Sequence, residues 1–255
     1  MNIGYKNKLN RLLQDYYPGK LHFSDNLRQI GYSDQLLKQY RNSGWLTALS
    51  KGVMYRAGDT LRAFPAVACY NAQMSKSFYV AAHSALELHG FNHFVPMGKP
   101  VLMLGHPKQQ AAPLWLRVTE FDRVIKFFST EIFAKQYLTT MKVEGVDLLA
   151  SLPEQAFFEC LLLAPQQYAF MDLFYIMEQL STLNPEIVQD LLENTDNLKV
   201  KRMFLFMAEK AGHYWYNLLD VSKINLGTSK LQLAKEGVYI SKYKITVPKG
   251  LYDYE

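Results

Sequence analysis

The stretch SDQLLKQYRNSGWLTALSKGVMYRAGD, residues 33–59, decides how the chain is read. Ser33 offers a side-chain oxygen to cap a helix, and Asp34 puts a carboxylate into its electropositive first turn. Stepping about 100° per residue gathers Leu36, Leu37 and Tyr40 on one side, the side a core would take. Opposite them stand Gln35, Lys38 and Asn42, flanked by Asp34, Gln39 and Arg41. Gly44 is placed to stop the helix. Beyond it, Trp45–Leu49 and Val53–Tyr55 are β-prone runs separated by Ser50-Lys51-Gly52. That pattern predicts a hairpin with a basic three-residue loop, and Arg56 extends its positive rim.

Upstream, Leu9, Leu12, Leu13 and Tyr16 share one face of a helix expected from Lys6 to Tyr16, which Pro18-Gly19 ends. Ser24 is a plausible cap for a second short helix carrying Leu27 and Ile30, and Gly31 supplies the turn into the third. Two short helices joined through glycine and followed at once by a basic hairpin make a winged helix-turn-helix. Its partner would be double-stranded DNA. Gln and Asn pair naturally with adenine, and Lys with guanine or phosphate. The candidate DNA-binding residues are therefore Ser33, Gln35, Lys38, Gln39, Arg41, Asn42, Lys51 and Arg56.

Charge agrees with this division. Residues 1–63 hold ten Lys and Arg against four Asp, whereas residues 64–255 hold 18 basic and 19 acidic side chains. A basic head on a near-neutral remainder is the footprint of a nucleic-acid reader, and it is also that of a solvated basic face. We expect a winged helix-turn-helix domain over 1–63 and a larger mixed α/β domain over 64–255, an α+β (mixed α/β) chain overall.

Past residue 63 the elements alternate. Helices are expected over Pro65–Met74 and Phe78–His89, the latter ended by Gly90. Strands are expected over Val101–Leu104, Val124–Phe128, Tyr137–Lys142 and Val146–Ala150, with a turn at Glu144-Gly145. Ser151-Leu152-Pro153-Glu154 reads as a capping box for a helix to Leu163. Helices over Phe170–Ser181, Pro185–Glu193 and Leu198–Ala211 follow, then strands over Leu231–Leu233, Val238–Ile240 and Tyr243–Val247.

The search for chemistry is mostly negative. The chain has no glycine-rich nucleotide loop, no H-E-x-x-H and no G-x-S-x-G. Cys69 and Cys160 form no paired motif, and His89 with His93 has helical ligand spacing interrupted by Gly90 and without a third ligand. His83, within AAHSALEL, reads as a satisfied core or interface histidine, and HYWYNLL at 213–219 as packing more than base stacking. We expect no cofactor, no metal and no enzyme. AFFECLLLA, residues 156–164, is too short to span a bilayer, and no signal-peptide pattern opens the chain, so a cytoplasmic protein is expected.

The sequence resembles the AbiEi-type antitoxins, transcriptional regulators of type IV (abortive infection) toxin–antitoxin pairs. The likeness rests on GWLTALSKGVMYRAGD, on SALELHGF at 84–91, on VEGVDLLASLPEQAFFECL, and on Gly237-Val238-Tyr239 before KYKITVP. Met54 between Val53 and Tyr55 departs from the family's usual Gly-Val-Tyr. The resemblance implies an N-terminal module that binds operator inverted repeats and represses its own operon. It implies a C-terminal domain that antagonises a nucleotidyltransferase-like toxin without a stable complex. Two other functions stay open on the residues alone: a ligand-responsive repressor outside any such pair, and a protein-interaction adaptor built on the winged fold.

Overall fold

The computed structural model describes residues 3–91 and 98–254, with side chains from residue 8 onward. The chain opens with α1 (Ile3–Gln14), β1 (Leu21–Phe23), α2 (Ser24–Gln29), α3 (Asp34–Asn42), β2 (Leu46–Ser50), β3 (Val53–Arg56) and α4 (Ala63–Met74). The middle holds β4 (Tyr79–Val80), α5 (Ala82–Leu88), β5 (Val101–Gly105), α6 (Leu114–Val118), β6 (Val124–Phe128), β7 (Leu138–Val143) and β8 (Val146–Ser151). Then come α7 (Pro153–Leu163), α8 (Phe170–Gln179), α9 (Pro185–Asn194) and α10 (Leu198–Ala211). The chain closes with β9 (Leu231–Gln232), β10 (Gly237–Ile240), β11 (Ile245–Pro248) and α11 (Lys249–Asp253). The fold is mixed α+β, as expected.

Two compact units emerge. The first comprises Met1–Tyr79, Pro96–Ser129 and Thr140–Leu149; the second comprises Val80–Val95, Thr130–Thr139 and Ala150–Glu255. In the first unit, Leu12, Leu27, Tyr32, Leu36, Leu37, Tyr40, Leu46 and Met54 form one buried cluster. Strands β1, β3 and β2 make a three-stranded antiparallel sheet beside it. Its first strand was not foreseen. β1 is three residues long, and it is fastened by α4: Gln73 accepts from Phe23 N–H at 3.1 Å and donates to Leu21 O at 2.7 Å. Cys69 Sγ accepts from Leu21 N–H at 3.3 Å. β1 pairs with β3 along one edge and with Gln73 along the other, and its three residues are all buried, which leaves no alternation to read. Elsewhere in this unit β5 and β6 pair in parallel from Val101↔Val124 to Gly105↔Phe128, and Glu144-Gly145 turns β7 into β8 with φ of 50 and 84.

In the second unit, α7 is buried along nearly its whole length by Ala156, Phe157, Phe158, Cys160 and Leu161. Phe204 of α10 lies 4.5 Å from Phe158 and 5.9 Å from Phe157, ring centre to ring centre. The expected helix over Phe78–His89 is instead the short β4 followed by α5. Ala82 begins α5 at φ 49, and its N–H donates to Glu159 Oε2 at 2.8 Å. The expected capping box is also replaced. Ser151 Oγ donates to the Glu159 carboxylate at 3.0 Å, Gln155 Nε2 donates to it at 2.8 Å, and Leu152 stands at the cap with no side-chain bond. A buried carboxylate competes for the serine and wins, because leaving it with fewer donors costs more than leaving a helix uncapped.

Further differences are local. α1 ends at Gln14 rather than Tyr16, and Tyr243 precedes β11 as a buried side chain instead of opening a strand. The short helices α6 and α11 were not foreseen. His83 is held as expected, with Nδ1 2.7 Å from the Tyr168 hydroxyl. His89 Nε2 lies 3.0 Å from Ser151 O, and His93 lies outside the described residues. Among the described residues no helix is long and apolar enough to cross a membrane, and no His, Cys, Asp and Glu group could hold a metal ion.

Two stability predictions follow from this packing. Leu37 is 1% exposed at the centre of the head's core, so Leu37→Ala is expected to cost about 2–5 kcal/mol in a denaturant melt. His22 on β1 is buried, and desolvation, aided by the Lys20 charge, lowers its pKa from 6.5 to about 4. The unfolded chain therefore takes up a proton near pH 6.5 that the folded chain refuses until about pH 4. Stability should be fully present above that window and fall by about 1.4 kcal/mol per pH unit as pH drops through it. His22→Asn should flatten this segment of the stability–pH curve; an unchanged slope would refute the assignment.

Candidate nucleic-acid interface

The surface that the sequence singles out is built by α2, α3 and the β2–β3 hairpin. α3 starts as expected, with Ser33 Oγ accepting from Leu36 N–H at 3.2 Å. Its inward side is Leu36, Leu37 and Tyr40, all buried. Gln35, Lys38, Gln39 and Asn42 are exposed, and so is Ser33. Four polar side chains are thereby presented on the outer surface of one helix. Arg41 behaves differently. It is half-buried, with Nη1 3.2 Å from Met54 Sδ, which leans it away from the free face and toward the hairpin.

α2 begins at Ser24 but is not capped by it; the Ser24 backbone N–H donates to Gly52 O at 2.8 Å. This bond ties the hairpin tip to the helix pair. The tip itself is shorter than expected, because Ser50 pairs with Val53 and leaves only Lys51-Gly52 as the loop. The residue gained by the strand is absorbed by a bulge between Ala48 and Ser50. Gly52 sits at φ 80, the left-handed conformation that such tight loops need. Lys51 is exposed at this tip.

Between the helix pair and the hairpin lies a cleft of about 660 Å³ lined by Arg28, Arg41 and Lys51, and also by Asp25 and Asp34. Arg28 resolves the conflict of sign. It donates to Asp34 Oδ1 at 2.8 Å and is paired with Asp25 as well. Asp34 is the first cause of the raised Arg28 pKa. Both carboxylates nearest the start of α3 are therefore paired with Arg28, which offsets one of their two negative charges. Sequence reasoning missed Arg28; its signal was the three-residue spacing from Asp25 on a helix. Arg56 is not at the tip. It lies at the base of the hairpin opposite Leu46, with its guanidinium 4.5 Å over the Tyr16 ring. Arg41 and Lys51 thus share the cleft, Gln35, Lys38, Gln39 and Asn42 share the outer surface of α3, and Arg56 stands apart.

The tip geometry gives a direct test. A Cβ on Gly52 would meet Ser24 Oγ at 3.0 Å on top of the unfavourable backbone angle. Gly52→Ala is expected to cost about 1–2 kcal/mol by denaturant melt. An unchanged midpoint would mean the tip is not held against α2.

Comparison with known proteins adds to this picture. A crystal structure of the RV2827C protein from Mycobacterium tuberculosis superposes with a TM-score of 0.65, covering 96% of this chain and 92% of that one. At 15% identity the likeness is one of fold. A search of curated proteins gives no match. Two family models match, "Transcriptional regulator, AbiEi antitoxin N-terminal domain" over residues 5–97 and "Transcriptional regulator, AbiEi antitoxin, Type IV TA system" over 99–248. Between them they span nearly the whole sequence, and the chain belongs to the AbiEi antitoxin family of transcriptional regulators of type IV toxin–antitoxin systems.

Proposed function

We propose that residues 1–63 act as a winged helix-turn-helix that reads double-stranded operator DNA at inverted repeats and represses the chain's own operon. Residues 64–255 carry the antitoxin role, antagonising a nucleotidyltransferase-like toxin in the cytoplasm without a stable complex. The observation that carries the DNA reading is the outer surface of α3. Its exposed side chains are amides and a lysine, and the one acid at its start is tied up by Arg28. A helix shaped only for solvent more often mixes Glu with Lys.

The roles divide by position. In helix-turn-helix complexes the first residues of the second helix reach base edges and later ones approach the backbone. Gln35 is assigned to a base edge, most naturally an adenine, with Ser33 and Gln39 beside it. Lys38 takes guanine or phosphate, and Asn42 phosphate. Arg41 and Lys51, across the cleft from one another, suit a phosphate backbone running between helix and hairpin, and Arg56 serves the same strand from the hairpin's base.

Salt dependence tests the hairpin's part in this. Phosphate contacts release counterions, so affinity should fall steeply with salt. Lys51→Ala should reduce the slope of log K against log salt by about one without changing sequence preference. A slope equal to the parent's would remove the hairpin from the interface. Binding to an acidic protein with no preference among duplexes would support the adaptor reading instead.

A further inference from the structure

A second cavity lies in the first unit, away from the outer surface of α3. It has a volume of about 340 Å³, and its walls come from α1, β1, α2 and α4. Most hydrogen-bonding side chains in the wall are used inside the protein. Gln73 holds both sides of β1, and Tyr17 OH lies 3.1 Å from Cys69 Sγ. Tyr32 OH donates to Lys8 O at 2.9 Å, and Lys20 Nζ donates to Asp15 O at 2.7 Å.

Four groups in the same wall are different, and one of them is the exposed Asp15 carboxylate, whose backbone oxygen alone is bonded. With it, the His22 imidazole, the half-buried Asn26 carboxamide and the exposed Arg11 guanidinium have no hydrogen-bond or ion-pair partner among the described residues. His22 is the telling one, being only 5% exposed. Its ring nitrogens keep an opening to solvent, so their partners come from the cavity and not from the protein. The alternation of β1 explains where it points. Leu21 and Phe23 turn to one side of the strand, and His22 turns to the other, toward this cavity.

We propose that this cavity is a binding site for a small oxyanion, a phosphate or carboxylate group, held by Arg11, Lys20, His22 and Asn26. Arg11 offers the planar fork that suits such groups, and Lys20 adds a second positive charge at the same wall. Asp15, exposed at the rim, is the one acid among the lining residues. His22 enters as a neutral donor, since its burial keeps it uncharged at neutral pH. A mixed wall with a few convergent polar groups is the usual make-up of a small-molecule site. Neither the DNA reading nor the antitoxin role is needed for this site to exist.

The test uses the full-length chain and inorganic phosphate, with sodium acetate as a parallel arm, at ionic strength held constant with sodium chloride. The His22 ring resonance, identified by its loss in His22→Gln, is followed by NMR. A saturable shift of His22 with His89 and His213 unmoved is the expected result. The anion that saturates at lower concentration identifies the preferred group. Arg11→Ala and Asn26→Ala should each raise the midpoint, the arginine change by about tenfold, with melting curves like the parent's. A His22 signal that never moves, or that moves with the same midpoint in both variants, overturns the proposal and leaves the cavity to solvent.

Discussion

The burial of Leu36, Leu37 and Tyr40 against Leu27, Leu46 and Met54 is the constraint on which the rest of the head depends. A nine-residue helix can turn about its axis at little cost unless one side is fixed. Three side chains at 4–5% exposure or less fix it, and Gln35, Lys38, Gln39 and Asn42 then face outward by geometry, with no further instruction. Met54 links this to the hairpin. It belongs to the same core, pairs across the sheet with His22, and lies under Arg41. Helix rotation, hairpin position and the lean of Arg41 are thus settled by one cluster of contacts.

What could be read from the sequence follows the same logic. α3 was legible because a period of 3.6 runs through Leu36, Leu37 and Tyr40 between a serine cap and Gly44. The hairpin was legible from its β-prone runs and its glycine, though its loop is one residue shorter than expected, because pairing of Ser50 with Val53 depends on a bulge that no residue type announces. β1 was not legible, since all three of its residues are buried and its partners, β3 and the Gln73 side chain, lie about thirty to fifty residues away. Ser151 misled for a related reason: its spacing to Glu154 fits a capping box, but the buried Glu159 eight residues on takes its hydroxyl. Local signals were trustworthy where nothing distant competed for the same polar atom. At the candidate interface the missed residue was Arg28, whose importance lies in pairing with Asp25 and Asp34 and not in its own exposure.

The second unit uses its basic residues differently. Arg202 is fully buried, and it donates to Leu226 O at 2.9 Å, to Ser229 O at 2.8 Å and to Lys244 O at 3.0 Å. Lys199 donates to Leu162 O and Ala164 O, and Lys201 to Glu193 O and Asn225 O. The basic run on α10 therefore holds backbone carbonyls together, where a nucleic-acid face would leave such groups in solvent. Arg202, Lys199 and Lys201 thus add nothing to an open basic face. That makes the outer surface of α3 the natural place to look for DNA contact.

The central claim is that this surface reads base sequence, and Gln35→Ala tests it most directly. The measurement is affinity of the full-length chain for duplexes from upstream of its own gene against a scrambled duplex, beside melting curves. The account predicts a loss of discrimination worth about 1–3 kcal/mol at one position of each half-site, with the melting temperature unchanged. A variant that discriminates as well as the parent while melting early would contradict it, because Gln35 would then be a packing residue and the reading face would lie elsewhere.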